Sequence, residues 1–169
     1  MSNNFITAIK FTLPWEVGKD RHGNLRQDGG YTDDPRDPGG ETKWGISKRA
    51  NPDVDIKNLT LAQAIEIYKT KYWDVYKNFK RDPISLDDLP TDLAVAIFDT
   101  GVNCGVSRCY NWYQVAKKEE APVDKLLELR REHYLKLPTY TTFGKGWMNR
   151  LNDLDKFIEI STDEFPSKS

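Results

Sequence analysis

Glu16 and the acidic residues between positions 33 and 41 are the side chains of this sequence best suited to chemistry. Hydrolysis of a glycosidic bond needs one carboxylic acid that stays protonated until it donates its proton to the leaving oxygen. It also needs a second carboxylate that activates water or stabilises positive charge. Glu16 follows an apolar run and Trp15, a setting that predicts the partial burial such an acid requires. These residues therefore suggest glycan-cleaving chemistry.

The second carboxylate has several candidates, because Asp33, Asp34, Asp37 and Glu41 lie close together in the sequence. Acidic residues in glycine- and proline-rich loops also cap turns or accept hydrogen bonds from backbone amides. A structural role is thus the alternative for each of them. Thr42 follows these acids, and its hydroxyl either orients a water molecule or caps the next element. The residues by themselves leave these roles open.

Aromatic and amide side chains could hold a sugar chain beside these acids. Tyr31 and Trp44 lie within residues 29–47, whose glycines and prolines predict an ordered irregular loop or a short hairpin. Aromatic rings stack on sugar rings in glycan clefts, so Tyr31 and Trp44 are the candidate cleft pair. Asn103 ends an apolar segment, where backbone capping and substrate hydrogen bonding are both open.

Composition argues against several other classes of function. The 25 Lys and Arg residues balance 26 Asp and Glu residues, so we expect no nucleic-acid partner. No segment holds the roughly 20 apolar residues of a membrane span. Because the N-terminus lacks the features of a secretory leader, we expect a cytoplasmic protein without stable membrane insertion.

Metal and thiol chemistry are not predicted either. Cys104 and Cys109 form no metal-ligand spacing with His22 or His133 and are expected to be free thiols. The acidic loop departs from the spacing of an EF-hand, and the sequence contains no G-x-S-x-G serine motif. We therefore predict no metal and no cofactor.

Length and periodicity predict a single, mostly α, α+β domain over residues 1–169, because 169 residues that are 38% hydrophobic can bury one core. A helix over 5–16 should end near Glu16, and a small exposed β-hairpin should occupy 17–30. The hairpin and acidic loop should span about 17–47, the helical part about 56–160, and a polar tail 161–169. Helices are predicted at about 61–76 after the cap Thr60, at 88–102 as the central buried helix, and at about 105–117, 122–137 and 145–160.

The segment GGYTDDPRDPGGETKWGI resembles the signature E-G-G-Y-x-x-D-P-x-D-P-G-G-x-T-x-x-G-I of glycoside hydrolase family 108, which includes N-acetylmuramidases and phage endolysins. The similarity extends over roughly residues 5–155. It implies a lysozyme-like fold and cleavage of the β-1,4 bond between N-acetylmuramic acid and N-acetylglucosamine in peptidoglycan, without a cofactor.

One departure from the family concerns the acid itself. The signature has Glu directly before its two glycines, whereas this chain has Asp28. Either Asp28 is a shortened acid, or residues 18–28 are an insertion after the true acid, Glu16. The pattern F-x-x-A-I-x-F-x-L-x-x-E and the shorter reach of Asp favour Glu16. The resemblance then implies Glu16, Asp37 and Thr42 as catalytic residues, with Asp34 as the alternative second carboxylate. Substrate-binding residues are expected to be Asp28, Tyr31, Trp44 and Asn103.

The resemblance also implies where and with what such a protein works. Peptidoglycan strands are the expected partner, and a separate holin or secretion machinery is expected to give the enzyme access from the host bacterial cytoplasm to the cell wall in the periplasm. The sequence leaves the oligomeric state open, and a monomer is the default expectation. Two other classes stay open. One is a non-catalytic glycan-binding domain with a lysozyme-like fold, and the other is a glycosidase that acts on chitin-type polymers.

Overall fold

The computed structural model describes residues 1–34 and 39–164, with side chains described up to residue 160. In this part of the chain, no helix combines the length and the apolar character needed to cross a membrane. The chain divides into two compact units. The first combines Met1–Phe11 with the chain from Tyr72 onward, and the second comprises Thr12–Lys71. The single domain over residues 1–169 stays a prediction.

Helix α1 spans Asn3–Val17 and contains Pro14. The helix predicted over 5–16 is confirmed, and it extends slightly further at both ends. Proline removes a backbone donor, but its carbonyl still accepts the N–H of Gly18 at 3.0 Å. Gly18 then adopts a φ of +81°, a left-handed conformation that ends helices. Glu16 consequently lies in the last turn of α1.

The segment after α1 forms a tight turn where a β-hairpin was predicted over 17–30. A single antiparallel bridge joins Lys19 to Leu25. The carboxylate of Asp20 accepts the backbone N–H groups of His22 at 2.8 Å and of Asn24 at 3.0 Å. Because this capping satisfies the donors locally and the segment is polar, the pairing does not extend. The predicted hairpin is therefore corrected to a turn closed by one bridge.

A two-stranded antiparallel sheet lies instead in the acidic loop. Strand β1 is Thr42–Lys43 and strand β2 is Ile46–Ser47. Trp44 and Gly45 join the strands with φ values of +55° and +74°, the pair of positive angles found in a type I′ turn. The short hairpin that the glycine-rich loop predicted as one of two alternatives is thus present. Its register pairs Thr42 with Ser47 and Lys43 with Ile46.

Helix α2 spans Leu61–Tyr68 and begins with a capping box. The Thr60 hydroxyl accepts the backbone N–H of Gln63 at 3.3 Å, and the Gln63 side chain accepts the backbone N–H of Thr60 at 2.9 Å. The predicted cap is confirmed. The α-helix ends earlier than predicted, because a π-helical turn follows at Lys69–Trp73 and a 3₁₀ turn at Asp74–Asn78. Trp73, which ends the π-helical turn, is fully buried.

Helix α3, Thr91–Cys104, is the central buried helix that the sequence predicts, and all of its residues from Leu93 to Gly101 are buried. The three later helices are confirmed as well, although the last begins before position 145 and continues into the predicted polar tail. A 3₁₀ turn at Leu86–Asp88 precedes α3. Helix α3 packs against α4, Val106–Ala116, α5, Pro122–Leu135, and α6, Tyr140–Glu164.

Candidate active site

Glu16 is half-buried at the end of α1. Its Cβ atom lies against the turn between β1 and β2, since a Cβ added to Gly45 would come within 2.9 Å of it. Gly45 itself is exposed, so the stem of Glu16 borders a partly open surface of the second unit. The glycine in the T-x-x-G-I part of the signature therefore lies beside Glu16.

Asp28, the alternative acid, is an exposed and ion-paired carboxylate. Arg26 donates to both of its oxygens, from Nε at 3.0 Å and from Nη2 at 2.6 Å. The backbone N–H of Gly30 donates to the same carboxylate at 2.9 Å. These hydrogen bonds, that of Arg26 above all, lower the pKa of Asp28. A carboxylate held in its charged form is a poor proton donor, and its bonds favour a turn-capping role over substrate binding.

Tyr31 is half-buried and donates its hydroxyl proton to Oε1 of Glu41 at 2.7 Å. This hydrogen bond is the main reason that the pKa of Tyr31 rises to about 12, so its phenol stays neutral at physiological pH. Glu41 is thereby engaged with an aromatic side chain. The sequence interpretation did not predict this pair, because nothing in the residue spacing shows that the loop brings the two side chains together.

The remaining acids of the loop differ in exposure: Asp34 is half-buried and Asp33 is exposed. Asp37 lies outside the described residues, and its role stays a prediction. Thr42 lies in β1, and its hydroxyl donates to the carbonyl of Gly40 at 3.1 Å. With its proton engaged, the Thr42 oxygen can orient a water molecule only by accepting a hydrogen bond from it.

Trp44 is 8% exposed, and its indole N–H donates to the carbonyl of Leu59 at 3.0 Å. A Cβ added to Gly29 would come within 2.6 Å of the indole ring, so the first glycine of the signature packs directly on it. Sugar stacking needs an accessible ring face. The burial of Trp44 therefore favours a structural role over the predicted cleft role, and Tyr31 is the more accessible ring of the predicted pair.

Asn103 lies in α3, in the first unit, and is half-buried. Its side-chain oxygen accepts the hydroxyl proton of Tyr134. Tyr134 accepts a hydrogen bond from Nε of Arg130 at 2.7 Å, which directs its own proton toward Asn103. The carboxamide of Asn103 is thus held by its oxygen, and its NH₂ group is the side suited to donate to a substrate.

A buried ion-pair network around Asp99 was not predicted from the sequence. Arg130 Nη1 lies 2.8 Å and Arg150 Nη2 lies 2.7 Å from its carboxylate oxygens. Burial raises the pKa of Asp99, but the charges of Arg150 and Arg130 outweigh burial and lower this pKa to about 2. A charged residue at the end of an apolar helix was the available signal, because a buried charge requires a partner.

Cys104 and Cys109 are free thiols, as the sequence predicts, and the structure buries both of them. Burial raises the pKa of both thiols, so neither is a thiolate at neutral pH. Within the described ranges, no group of three His, Cys, Asp or Glu side chains is placed to hold a metal ion. That the protein needs no metal or cofactor stays a prediction.

Comparison with known proteins agrees with the fold and with the signature. Residues 23–105 match the model of the family glycosyl hydrolase 108. No curated protein matches the chain. The structure of Brucella abortus SagA is similar, with a TM-score of 0.67 and 24% sequence identity, over 98% of this chain and 97% of SagA. At this identity the similarity shows a shared fold.

The predicted fold class, mostly α, lysozyme-like and with a small antiparallel sheet, is confirmed. At the level of the family, the match supports a lysozyme-like glycosidase that degrades peptidoglycan. The resemblance predicted from the sequence signature is thereby confirmed: over residues 23–105, this chain matches glycoside hydrolase family 108.

Proposed function

We propose that this protein is an N-acetylmuramidase that hydrolyses the β-1,4 bond between N-acetylmuramic acid and N-acetylglucosamine in peptidoglycan. One observation carries the proposal: the signature glycine Gly45 lies against the side chain of Glu16. A Cβ added to Gly45 would come within 2.9 Å of the Cβ of Glu16. The most specific motif of the sequence thus meets a half-buried carboxylic acid, the group that glycoside hydrolysis requires.

The choice between the two acids rests on their surroundings. The family match begins at residue 23, beyond Glu16, and contains Asp28, so the match alone would favour Asp28. Asp28, however, is exposed and bound by both Arg26 and a backbone amide, which keeps it ionised. Glu16 is half-buried, which suits a proton donor better. We therefore assign the general acid to Glu16.

In the proposed reaction, Glu16 donates its proton to the glycosidic oxygen as the bond to the sugar C1 breaks. Asp34 or Asp37 stabilises the oxocarbenium-like transition state or positions a water molecule. The water oxygen bonds to C1 as one water proton passes to a carboxylate, either that of the positioning aspartate or that of Glu16, which has by then given up its own proton. Thr42 accepts a hydrogen bond from that water molecule. Tyr31 offers a ring to the glycan, and Asn103 offers its NH₂ group as a donor.

We further propose the biological setting of a phage endolysin. In this setting the monomeric enzyme accumulates in the cytoplasm of the host bacterium and acts on the wall in the periplasm after a separate holin or secretion machinery gives it access. The near-equal numbers of acidic and basic residues, 26 and 25, support a glycan partner over a nucleic acid.

The proposal predicts that Glu16→Gln abolishes lysis of chloroform-permeabilised Gram-negative cells, while Asp28→Asn retains it. Loss of a general acid should lower the rate by about 10²–10⁴-fold. Turbidity gives the rates, and circular dichroism checks that all three proteins are folded. Loss of activity in Asp28→Asn alone would overturn the assignment of the acid.

The products test the bond that is cut. Borohydride reduction of digested peptidoglycan followed by mass spectrometry should reveal reduced N-acetylmuramic acid at the new chain ends. Soluble sugar from chitin with none from peptidoglycan would instead identify a chitin-type glycosidase. A folded wild type that binds peptidoglycan without cleaving it would identify a glycan-binding domain.

A further inference from the structure

Tyr68 ends α2 and is almost completely buried, with 1% of its surface exposed. Its hydroxyl donates to the carbonyl of Trp44 at 3.1 Å. A buried tyrosine hydroxyl needs a hydrogen-bond partner, and here the partner is the backbone of the turn between β1 and β2.

The same turn is anchored at two more points. The backbone N–H of Trp44 donates to the carbonyl of Gly29 at 2.7 Å, and its indole N–H donates to the carbonyl of Leu59 at 3.0 Å. Trp44 has a φ of +55°, which is costly for a residue with a large side chain. Such a conformation persists only where surrounding contacts hold it, and the Tyr68 hydroxyl supplies one of them.

Gly45 connects this anchored turn to the acid. A Cβ at Gly45 would lie 2.3 Å from the Tyr68 hydroxyl oxygen and 2.9 Å from the Cβ of Glu16. The Tyr68 hydroxyl and the Cβ of Glu16 therefore both lie close to Gly45, and only the absence of a side chain at this position prevents a collision with them. A shift of the turn away from Tyr68 would change the surface on which the stem of Glu16 rests.

We propose that Tyr68 is a positioning residue for Glu16, acting through the Trp44–Gly45 turn. The inference rests on the proposed role of Glu16 as general acid. Proton donation tolerates little misplacement, since a displacement of about 1 Å can cost roughly 10²-fold in rate. Tyr68 is buried and acts on the acid through the turn, so its loss should reduce the catalytic step and leave substrate affinity nearly unchanged.

Tyr68→Phe tests this role, with Tyr110→Phe as the matched control. Tyr110 is also buried, at 8% exposure, and its hydroxyl donates to the carbonyl of Asp82 in the first unit. On soluble glycan strands, Tyr68→Phe should lower kcat by about 10–100-fold with KM within about twofold. Tyr110→Phe should lose stability without a comparable loss of kcat.

Two further variants separate positioning from general destabilisation. Gly45→Ala should lower kcat strongly, because its methyl group collides with both neighbours. Adding Tyr68→Phe removes the closest collision, so the double variant should be less impaired than the product of the two single effects. Fully multiplicative effects, or equal losses of kcat in Tyr68→Phe and Tyr110→Phe, would overturn the inference. A wild type inactive on peptidoglycan would instead overturn the proposed function itself.

Discussion

Asp33 and Asp34 are sequence neighbours whose surroundings differ, since Asp34 is half-buried and Asp33 is exposed. A carboxylate that stabilises a developing positive charge acts more strongly where protein partly excludes water. Asp34 therefore fits the second catalytic role better than Asp33. Asp37, the residue that the family signature implies, is its rival for that role.

At the residue scale, Asp34→Asn should lower kcat on peptidoglycan by about 10²–10⁴-fold, because the reaction would lose a charged partner of the acid. Asp33→Asn is the matched control and should keep the rate of the wild type. Both variants would be assayed for lysis and for thermal stability. An active Asp34→Asn beside an inactive Asp37→Asn would transfer the role to Asp37.

Helix α2 has a role out of proportion to its length, because it carries Tyr68 at its end. The α-helical part, Leu61–Tyr68, is only 8 residues long, and short helices depend strongly on their ends and on packing. The reciprocal bonds between Thr60 and Gln63 satisfy backbone donors that would otherwise lack partners within the helix. The cap thus stabilises the element that holds the turn beside Glu16.

At the element scale, Thr60→Ala should destabilise the protein by about 1 kcal/mol, the usual cost of losing such a cap. Its melting temperature should fall by about 2–4 °C, as expected for a chain of this size. Thr60→Ser keeps the hydroxyl and should restore most of the loss. A melting temperature of Thr60→Ala equal to that of the wild type would show that the cap contributes nothing measurable.

The first unit is tied together by charge as well as by apolar packing. Asp99 from α3 pairs with Arg130 from α5 and Arg150 from α6, and Asp99 and Arg130 are completely buried. Ion pairs of this kind add little net stability, because each charge gives up its hydration. Removing one partner lowers the stability of the protein far more than the intact pair raises it, since the opposite charge is left buried and uncompensated.

For the whole molecule, Asp99→Asn should lower the free energy of unfolding by about 3–5 kcal/mol, because two guanidinium groups would lose their counter-charge. Denaturant unfolding measures this difference. The control is Asp82→Asn, which breaks the exposed ion pair with Lys117 and should change stability little. Equal losses in the two variants would contradict the role assigned to the buried network.

The stability difference between the wild type and Asp99→Asn should also depend on pH. The pKa of Asp99 is lowered from 3.8 to about 2, so its contribution to stability is complete above about pH 4 and is lost as the pH falls toward 2. The stability difference between wild type and Asp99→Asn should thus stay constant from neutral pH to about pH 4 and shrink below it. A difference that persists unchanged at pH 2 would rule out this linkage.

The sequence by itself determined the features that depend on neighbouring residues. The Thr60 cap involves contacts three positions apart, and the apolar run from Leu93 to Phe98 has no polar face to present to water, which predicts a central helix. The signature was sufficient to predict the family, and the apolar helix before Glu16 was sufficient to propose the acid. Each of these follows from local chemistry or from helical periodicity.

Only the tertiary structure decided the features that depend on contacts between distant residues. It placed Gly45 against Glu16 and moved Trp44 from a predicted cleft position into the core. Asp99 found its two arginines on helices that follow much later in the chain. Burial and pairing of charge are set by which surfaces meet on folding, and residue spacing along a sequence carries little information about that.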